Sequence, residues 1–190
     1  MYVGDSARVL CRAFRLYTGG LIDDKSREIF ENWDNSMGNI ASLYNKDLTL
    51  VSFPAVDLSN VQSMHSTFSN AENLIMVGDL NTSSCKYFSN TFRRCLRLLE
   101  APVIDLSNAK STSHMFWCCW SLRYVPNYDY SAITDLRAMF DSCPSLTEIG
   151  EINSENGENL GHMFSACRRL ESIASIDFSS ATNIENIFYN

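Results

Sequence analysis

The segment Met115-Phe116-Trp117-Cys118-Cys119-Trp120-Ser121-Leu122 contains a pattern, Phe-x-x-Cys-x-x-Leu, that recurs along the chain. Other copies begin at Phe92, Phe140 and Phe164, so each copy lies 24 residues from the next. A fixed period of this length is typical of a solenoid, in which each unit stacks on its neighbours. The sequence therefore predicts a repeat architecture. Residues at equivalent positions of successive 24-residue units are described below as a column.

The first half of each unit begins at the leucine of the pattern and has no helical spacing. Leu122 is followed by apolar residues at Val125, Tyr128 and Tyr130. Pro126 interrupts the segment, and proline is tolerated at the start or edge of a strand. The spacing of these residues predicts a short extended strand followed by a turn. Stacked units would then form a parallel ladder of strands.

The second half of each unit has a different spacing. Its apolar residues are three, three, one and three positions apart, as in Ala109, Thr112, Met115, Phe116 and Cys119. Such spacing indicates one face of a short α-helix. Each unit is thus predicted to contain one short strand and one short helix, which gives an α/β solenoid. Because helices pack about 8–10 Å apart, we expect the helices on a convex side and the strands on a concave side.

Two regions follow from this pattern. Residues 1–32 are predicted to form a helical N-terminal cap, in which residues 5–18 are an amphipathic helix. Residues 33–190 are predicted to form one continuous solenoid. Its first unit, residues 33–50, is degenerate and has Tyr44 in the phenylalanine column.

Two columns of the repeat predict the interior. The phenylalanine column predicts a continuous aromatic spine; its members are Phe68, Phe92, Phe116, Phe140, Phe164 and Phe188. The cysteine column contains Cys95, Cys119, Cys143 and Cys167. The chain has seven cysteines, an odd number, and a residue placed by the period of a core is more often a buried thiol than a redox group.

A third column is always Asp or Asn. Its members are Asp57, Asn81, Asp105, Asp129, Asn153 and Asp177. Side chains of this kind accept a hydrogen bond from the backbone two residues further on, so the column predicts Asx-turns. A calcium-binding stack of carboxylates is the alternative, which the two asparagines disfavour.

Several columns together resemble the bacterial surface protein A-like leucine-rich repeats. The best copies are Leu98–Ser107 and Leu122–Ser131, and the resemblance covers about residues 40–190. It implies a leucine-rich-repeat solenoid that is not an enzyme and that binds proteins or glycans at a cell surface. Residues 1–32 do not match the pattern, and the unit around Gly150–Gly161 departs from it.

Composition and charge narrow the classes of function. The formal net charge is −7, which disfavours a nucleic-acid partner. No apolar run has the roughly 20 residues of a membrane-spanning helix. No nucleophile–base pairing stands out, and neither cysteines nor histidines have metal-ligand spacing. We therefore expect no enzymatic activity, no cofactor and no metal.

The variable columns are where binding specificity is expected. Trp117 and Trp120 are three residues apart at positions outside the core, and Arg93 and Arg94 belong to the preceding unit. These four residues are hypothesised to form an aromatic and basic binding patch. The alternative is that the tryptophans pack under a loop or against each other. Tyr124 is predicted to contact a ligand from the concave face.

The predicted function is a protein- or glycan-binding module of bacterial surface type, in adhesion or partner recognition. One alternative is a structural or host-contact component of a bacteriophage virion. Another is an intracellular interaction scaffold. The first residues lack the features of a signal peptide, so the location stays open between cell surface, virion and cytoplasm. The sequence stops inside a repeat at Asn190, which leaves three alternatives: a truncated chain, an oligomer that buries the uncapped end, or a larger assembly.

Overall fold

Parallel pairing between successive units organises residues 38–190, the part of the chain that the computed structural model describes. The strands are β1 (Ser52–Phe53), β2 (Val56–Asp57), β3 (Met76–Val77), β4 (Leu80–Asn81), β5 (Glu148–Ile152) and β6 (Ser172–Ile176). β1 pairs with β3, β2 with β4 and β5 with β6, and every partner lies 24 residues further along the chain. Single bridges, such as Glu100 with Tyr124, keep the same offset. The predicted parallel pairing at a 24-residue offset is confirmed, but the strands of residues 38–190 form two-stranded pairs and not one continuous ladder.

The other half of each unit is a run of tight turns. In the unit of Phe116, the Cys119 N–H donates to the Phe116 carbonyl at 3.1 Å and closes a turn. The Phe116 N–H donates instead to the carbonyl of Met139 in the next unit, at 2.9 Å. Alternate N–H groups therefore bond within the unit and to the next unit. We name this segment the turn half and the strand-containing segment the extended half.

Left-handed backbone accompanies these turns. His114 has φ 57° and Cys118 has φ 58°, and the preceding unit repeats this pair at Asn90 and Arg94. An α-helix requires right-handed backbone throughout, and each non-glycine residue in left-handed backbone costs about 1–2 kcal/mol. The inter-unit hydrogen bonds of the turn half offset this cost. Two left-handed residues four positions apart in the same unit exclude a helix here.

The predicted α/β leucine-rich-repeat solenoid, with one helix in each unit, is therefore wrong. Residues 38–190 contain no helix, and their strands form only two-stranded parallel pairs. The spacing of buried residues was misleading because four-residue turns bring side chains inward about as often as a helix does. The expected curvature also loses its basis, since no helices hold the turn halves apart. The helical cap predicted for residues 1–32 lies outside the described residues.

The phenylalanine column forms the predicted aromatic spine. Successive rings from Phe68 to Phe188 are stacked, with centroids 5.2–5.8 Å apart and planes within 9° of parallel. Tyr44 continues the stack, 5.6 Å from Phe68. The rings from Phe68 to Phe164 are fully buried. The spine thus runs through every described unit.

The cysteine column lies beside the spine as buried thiols, as predicted. Cys119 Sγ donates to the carbonyl oxygen of Phe92, one unit back, at 3.1 Å. The same relation joins Cys95 to Phe68, Cys143 to Phe116 and Cys167 to Phe140. All six cysteines among residues 38–190 are unpaired thiols. Each thiol of the column therefore bonds neighbouring units together.

The Asp/Asn column forms the predicted turns. At five of its six positions, the N–H two residues on donates to the side-chain oxygen, as Ser131 does to Asp129 Oδ1 at 3.0 Å. At the sixth, Asn153 Nδ2 donates sideways to Asp129 Oδ1 at 3.1 Å. A second such column was not predicted from the sequence; its acceptors are Asn39, Ser63, Ser111, Asp135, Asn159 and Asn183. These side chains fix the junctions between the two halves.

Candidate binding site

Trp117 lies on the outer face of the turn half, directly after the buried Phe116. Arg93 of the preceding unit places its Cζ 4.5 Å from the centroid of the tryptophan ring. Asp141 of the following unit accepts a hydrogen bond from Trp117 Nε1 at 3.2 Å. Arg93, Trp117 and Asp141 share one column, so the unit spacing of about 5 Å aligns cation, ring and carboxylate. Trp117 is thereby held in one orientation and is half-buried.

Arg94 belongs to a separate contact. Its Nη2 lies 2.9 Å from Glu72 Oε1 of the preceding unit, and both side chains are 37% exposed. A partly exposed ion pair of this kind contributes little stability, but it neutralises much of the charge of Arg94. Arg93 and Arg94 are adjacent in sequence, yet only Arg93 contacts a tryptophan.

Trp120 is the most exposed residue of the predicted patch, with 53% of its surface accessible. It lies where the turn half meets the extended half. Leu96 of the preceding unit and Pro144 of the following unit occupy the same column, and both are half-buried. An exposed tryptophan between two apolar neighbours forms a strip of apolar surface across three units. Neither Leu96 nor Pro144 was included in the sequence-based site, although both stand in the column of Trp120.

Tyr124 lies apart from the tryptophans, on the extended half. It forms a parallel bridge with Glu100, and its carbonyl accepts the Ala101 N–H at 3.0 Å. Its side chain is half-buried. The five predicted residues thus divide into the Arg93–Trp117 pair, the Arg94–Glu72 ion pair, the corner residue Trp120, and Tyr124 on another face.

Two further groups border Trp117. His114 Nδ1 lies 2.8 Å from Ser113 Oγ, and burial, followed by nearby Arg137, lowers the pKa of the imidazole. Cys118 is a half-buried thiol whose pKa is raised, first by burial. Both groups therefore favour their neutral forms near neutral pH. The charges of the patch come from its arginines and from Asp141.

Residues 38–190 contain no group of three or more His, Cys, Asp or Glu side chains that could hold a metal ion. Within the same range, no helix has the length and apolar character needed to cross a bilayer.

The repeats also identify a family. Residues 35–123 and 110–190 each match the family described as Mycoplasma protein of unknown function, DUF285. The chain belongs to this family. Two matches within one DUF285 chain agree with its repeated units, and their overlap at residues 110–123 includes both tryptophans of the patch. No curated protein and no solved structure matches the chain.

Proposed function

We propose that this chain is a non-enzymatic recognition module that binds a protein or glycan ligand through Trp117, Trp120 and Arg93. The observation that carries the proposal is Trp120, a large apolar side chain with 53% of its surface exposed, three residues along the chain from the arginine–tryptophan pair. Tryptophan and arginine dominate the energetics of binding surfaces because they offer large contact area with a polar group attached.

The setting of the patch supports recognition rather than a purely structural role. The buried phenylalanine rings stack from unit to unit, and backbone hydrogen bonds join the units. Trp117 and Trp120 stand outside those columns, and no other described unit has tryptophan at either position. A surface feature confined to one unit of a repeat is suited to selecting one ligand.

A bacterial surface role in adhesion or partner recognition is the context that we propose. Its support is the similarity of the Leu98–Ser107 and Leu122–Ser131 segments to bacterial surface protein A-like repeats. An intracellular interaction scaffold is the second candidate, favoured by six unpaired cysteines among residues 38–190. Protease treatment of intact source cells separates the two, because only a surface protein is digested while the membrane stays closed.

The test is a comparison of Trp117→Ala/Trp120→Ala with the native chain on a glycan array and on an array of cell-surface proteins. Tyr87→Ala is the matched control, because Tyr87 is an aromatic residue with 50% exposure in another column. We expect the double variant to lose at least about tenfold in affinity for the ligand found, since central tryptophans each contribute about 2 kcal/mol or more. Equal binding by the native chain and the double variant would contradict the proposal.

A further inference from the structure

A corner of the molecule combines apolar and basic surface. We define the corner as residues 96–99, 120–123, 144–147 and 168–171, which connect the turn half to the extended half in four successive units. Backbone hydrogen bonds join the first segment to the second, where the Ser121 N–H donates to the Leu96 carbonyl at 3.2 Å. They also join the third segment to the fourth, where the Glu171 N–H donates to the Thr147 carbonyl at 2.8 Å. The four segments occupy equivalent positions in successive units.

Its centre is the apolar strip formed by Leu96, Trp120 and Pro144. The strip crosses two unit steps, roughly 10 Å, which is about the length of three extended residues. Leu99, 39% exposed, adds apolar surface beside it. A strip of this width accommodates the side chains of one extended polypeptide.

Exposed arginines lie in the same segments as the strip. The corner contains four exposed arginines, at positions 97, 123, 168 and 169, and one carboxylate, Glu171. Among the nearby carboxylates, Glu72 binds Arg94 and Asp141 accepts the Trp117 N–H, while Glu100 and Glu148 directly follow the first and third corner segments on the extended half. The corner is thus basic in a chain whose net charge is −7.

We infer that the corner binds an acidic polypeptide segment in which carboxylates alternate with large apolar side chains. The inference rests on the recognition function proposed above and names its ligand class. The arginines attract carboxylates, while the negative charge of the rest of the chain repels an acidic partner and directs it to this surface. A purely anionic polysaccharide would pair with the arginines but leave the apolar strip uncovered. A polypeptide with acidic and apolar side chains contacts both the arginines and the strip.

The test uses a short fluorescent peptide in which Glu alternates with Leu and Phe, titrated with the full chain. One control peptide has Lys in place of Glu, and another has Ser in place of Leu and Phe. We expect only the first peptide to bind with high affinity, and its affinity to fall as salt increases. Binding of the Lys peptide at least as tight as that of the Glu peptide, or no binding of the Glu peptide, overturns the inference.

Charge-reversal variants locate the binding surface. Arg97→Glu/Arg123→Glu alters the corner, whereas Lys86→Glu/Lys110→Glu makes the same charge change at exposed lysines of another column. We expect the arginine variant to lose at least about tenfold in affinity and the lysine variant less than about twofold. Equal losses in the two variants overturn the inference, because they would reflect net charge alone.

Three further outcomes assign the corner to a different occupant. Heparin binding that depends on Arg97 and Arg123, without peptide binding, assigns it to an anionic glycan. Salt-sensitive self-association that the arginine variant abolishes assigns it to a second copy of the chain. If Trp120→Ala weakens binding of an array ligand that is not acidic, while the arginine variant binds it normally, this inference fails and the proposed function stands. If neither Trp120→Ala nor the arginine variant changes binding of the array ligand, both this inference and the proposed function fail.

Discussion

Phe116 and Trp117 are adjacent aromatic residues on opposite faces of the turn half. Phe116 stacks between Phe92 and Phe140, with centroids 5.3 and 5.7 Å away. Trp117 lies between Arg93 and Asp141, which share its column but not its residue type. The inner column has the same residue in six units, whereas the outer column changes at nearly every unit.

The difference follows from the spacing that the backbone imposes. Inter-unit hydrogen bonds hold equivalent positions about 5 Å apart, and identical flat rings fill that spacing without gaps. Any other side chain inside would leave a cavity or a clash. Outside, water fills the gaps, so the residue type is free to vary and to specify a ligand. The inner face therefore holds the units together, and the outer face differs from unit to unit.

The largest expected effect separates the two aromatic residues directly. Phe116→Ala is expected to lower the free energy of unfolding by about 3–5 kcal/mol, because it removes a buried ring from the middle of the spine. Trp117→Ala is expected to cost about 1 kcal/mol or less, since the ring is half-exposed and its main contact is with one arginine. Urea denaturation of both variants measures the contrast, and equal losses would contradict it.

A second contrast concerns the adjacent cysteines. Cys119→Ala is expected to cost about 1–2 kcal/mol, because it removes a buried sulfur and its hydrogen bond to the Phe92 carbonyl. That carbonyl keeps the Cys95 N–H as a donor, so it is not left without a partner. Cys118→Ala, at a half-buried outer position, is expected to change the free energy of unfolding by about 0.5 kcal/mol or less. Urea denaturation measures both variants. If Cys118→Ala lowered the free energy of unfolding more than Cys119→Ala, the assignment of inner and outer thiols would be reversed.

Stability at alkaline pH tests the burial of the whole cysteine column. Burial raises the pKa of Cys167 from 9.0 to about 12, and it raises the pKa of Cys119 well above the same starting value. The unfolded chain loses these thiol protons near pH 9 while the folded chain retains them, so stability falls as pH rises above 9. The slope is about 1.4 kcal/mol per pH unit for each buried thiol.

Melting temperatures measured from pH 8 to pH 10.5 check this slope. Cys119→Ala should show a shallower decline than the native chain, because one titrating thiol is absent. Cys118→Ala is the comparison variant: burial also raises the pKa of that thiol, but the thiol is only half-buried, so this variant should change the slope less than Cys119→Ala does. Parallel curves for Cys119→Ala and the native chain would show that the buried thiols do not cause the alkaline loss.

The smallest expected effect concerns the left-handed backbone. Ala166 has φ 55° and lies half-buried on the turn half. Ala166→Gly is expected to stabilise the chain by about 0.5–1 kcal/mol, because glycine adopts this conformation without strain. Ala181→Gly is a control at a position without positive φ and should destabilise the chain. A loss of stability in Ala166→Gly would indicate that the strain at this position is negligible.

Much of the interior could be predicted from the sequence because the period is visible there. The 24-residue offset predicted the partner of every paired residue, and the phenylalanine, cysteine and Asp/Asn columns have the roles that their chemistry indicated. The helices were predicted wrongly because the left-handed positions are occupied by residues such as His114 and Cys118, not by glycine. Asparagine, which adopts left-handed backbone more readily than most residues, occupies three of these positions, Asn70, Asn90 and Asn186.

The binding patch was only partly visible for a related reason. Trp117, Trp120 and Arg93 stand out by residue type, but the ion pair of Arg94 with Glu72 and the hydrogen bond of Trp117 to Asp141 depend on which residues the stacking places side by side. Leu96 and Pro144 become part of a surface only next to Trp120. Leu96 lies one full unit before Trp120 in the sequence, and Pro144 lies one full unit after it.

The sequence by itself determined the repeat, the register and the identity of the buried columns, because these depend on a periodic pattern of residue types. The tertiary structure decided that the second half of each unit is a run of turns rather than a helix. Half of its N–H groups find acceptors in the next unit, and those bonds offset the cost of left-handed backbone that no isolated unit would adopt.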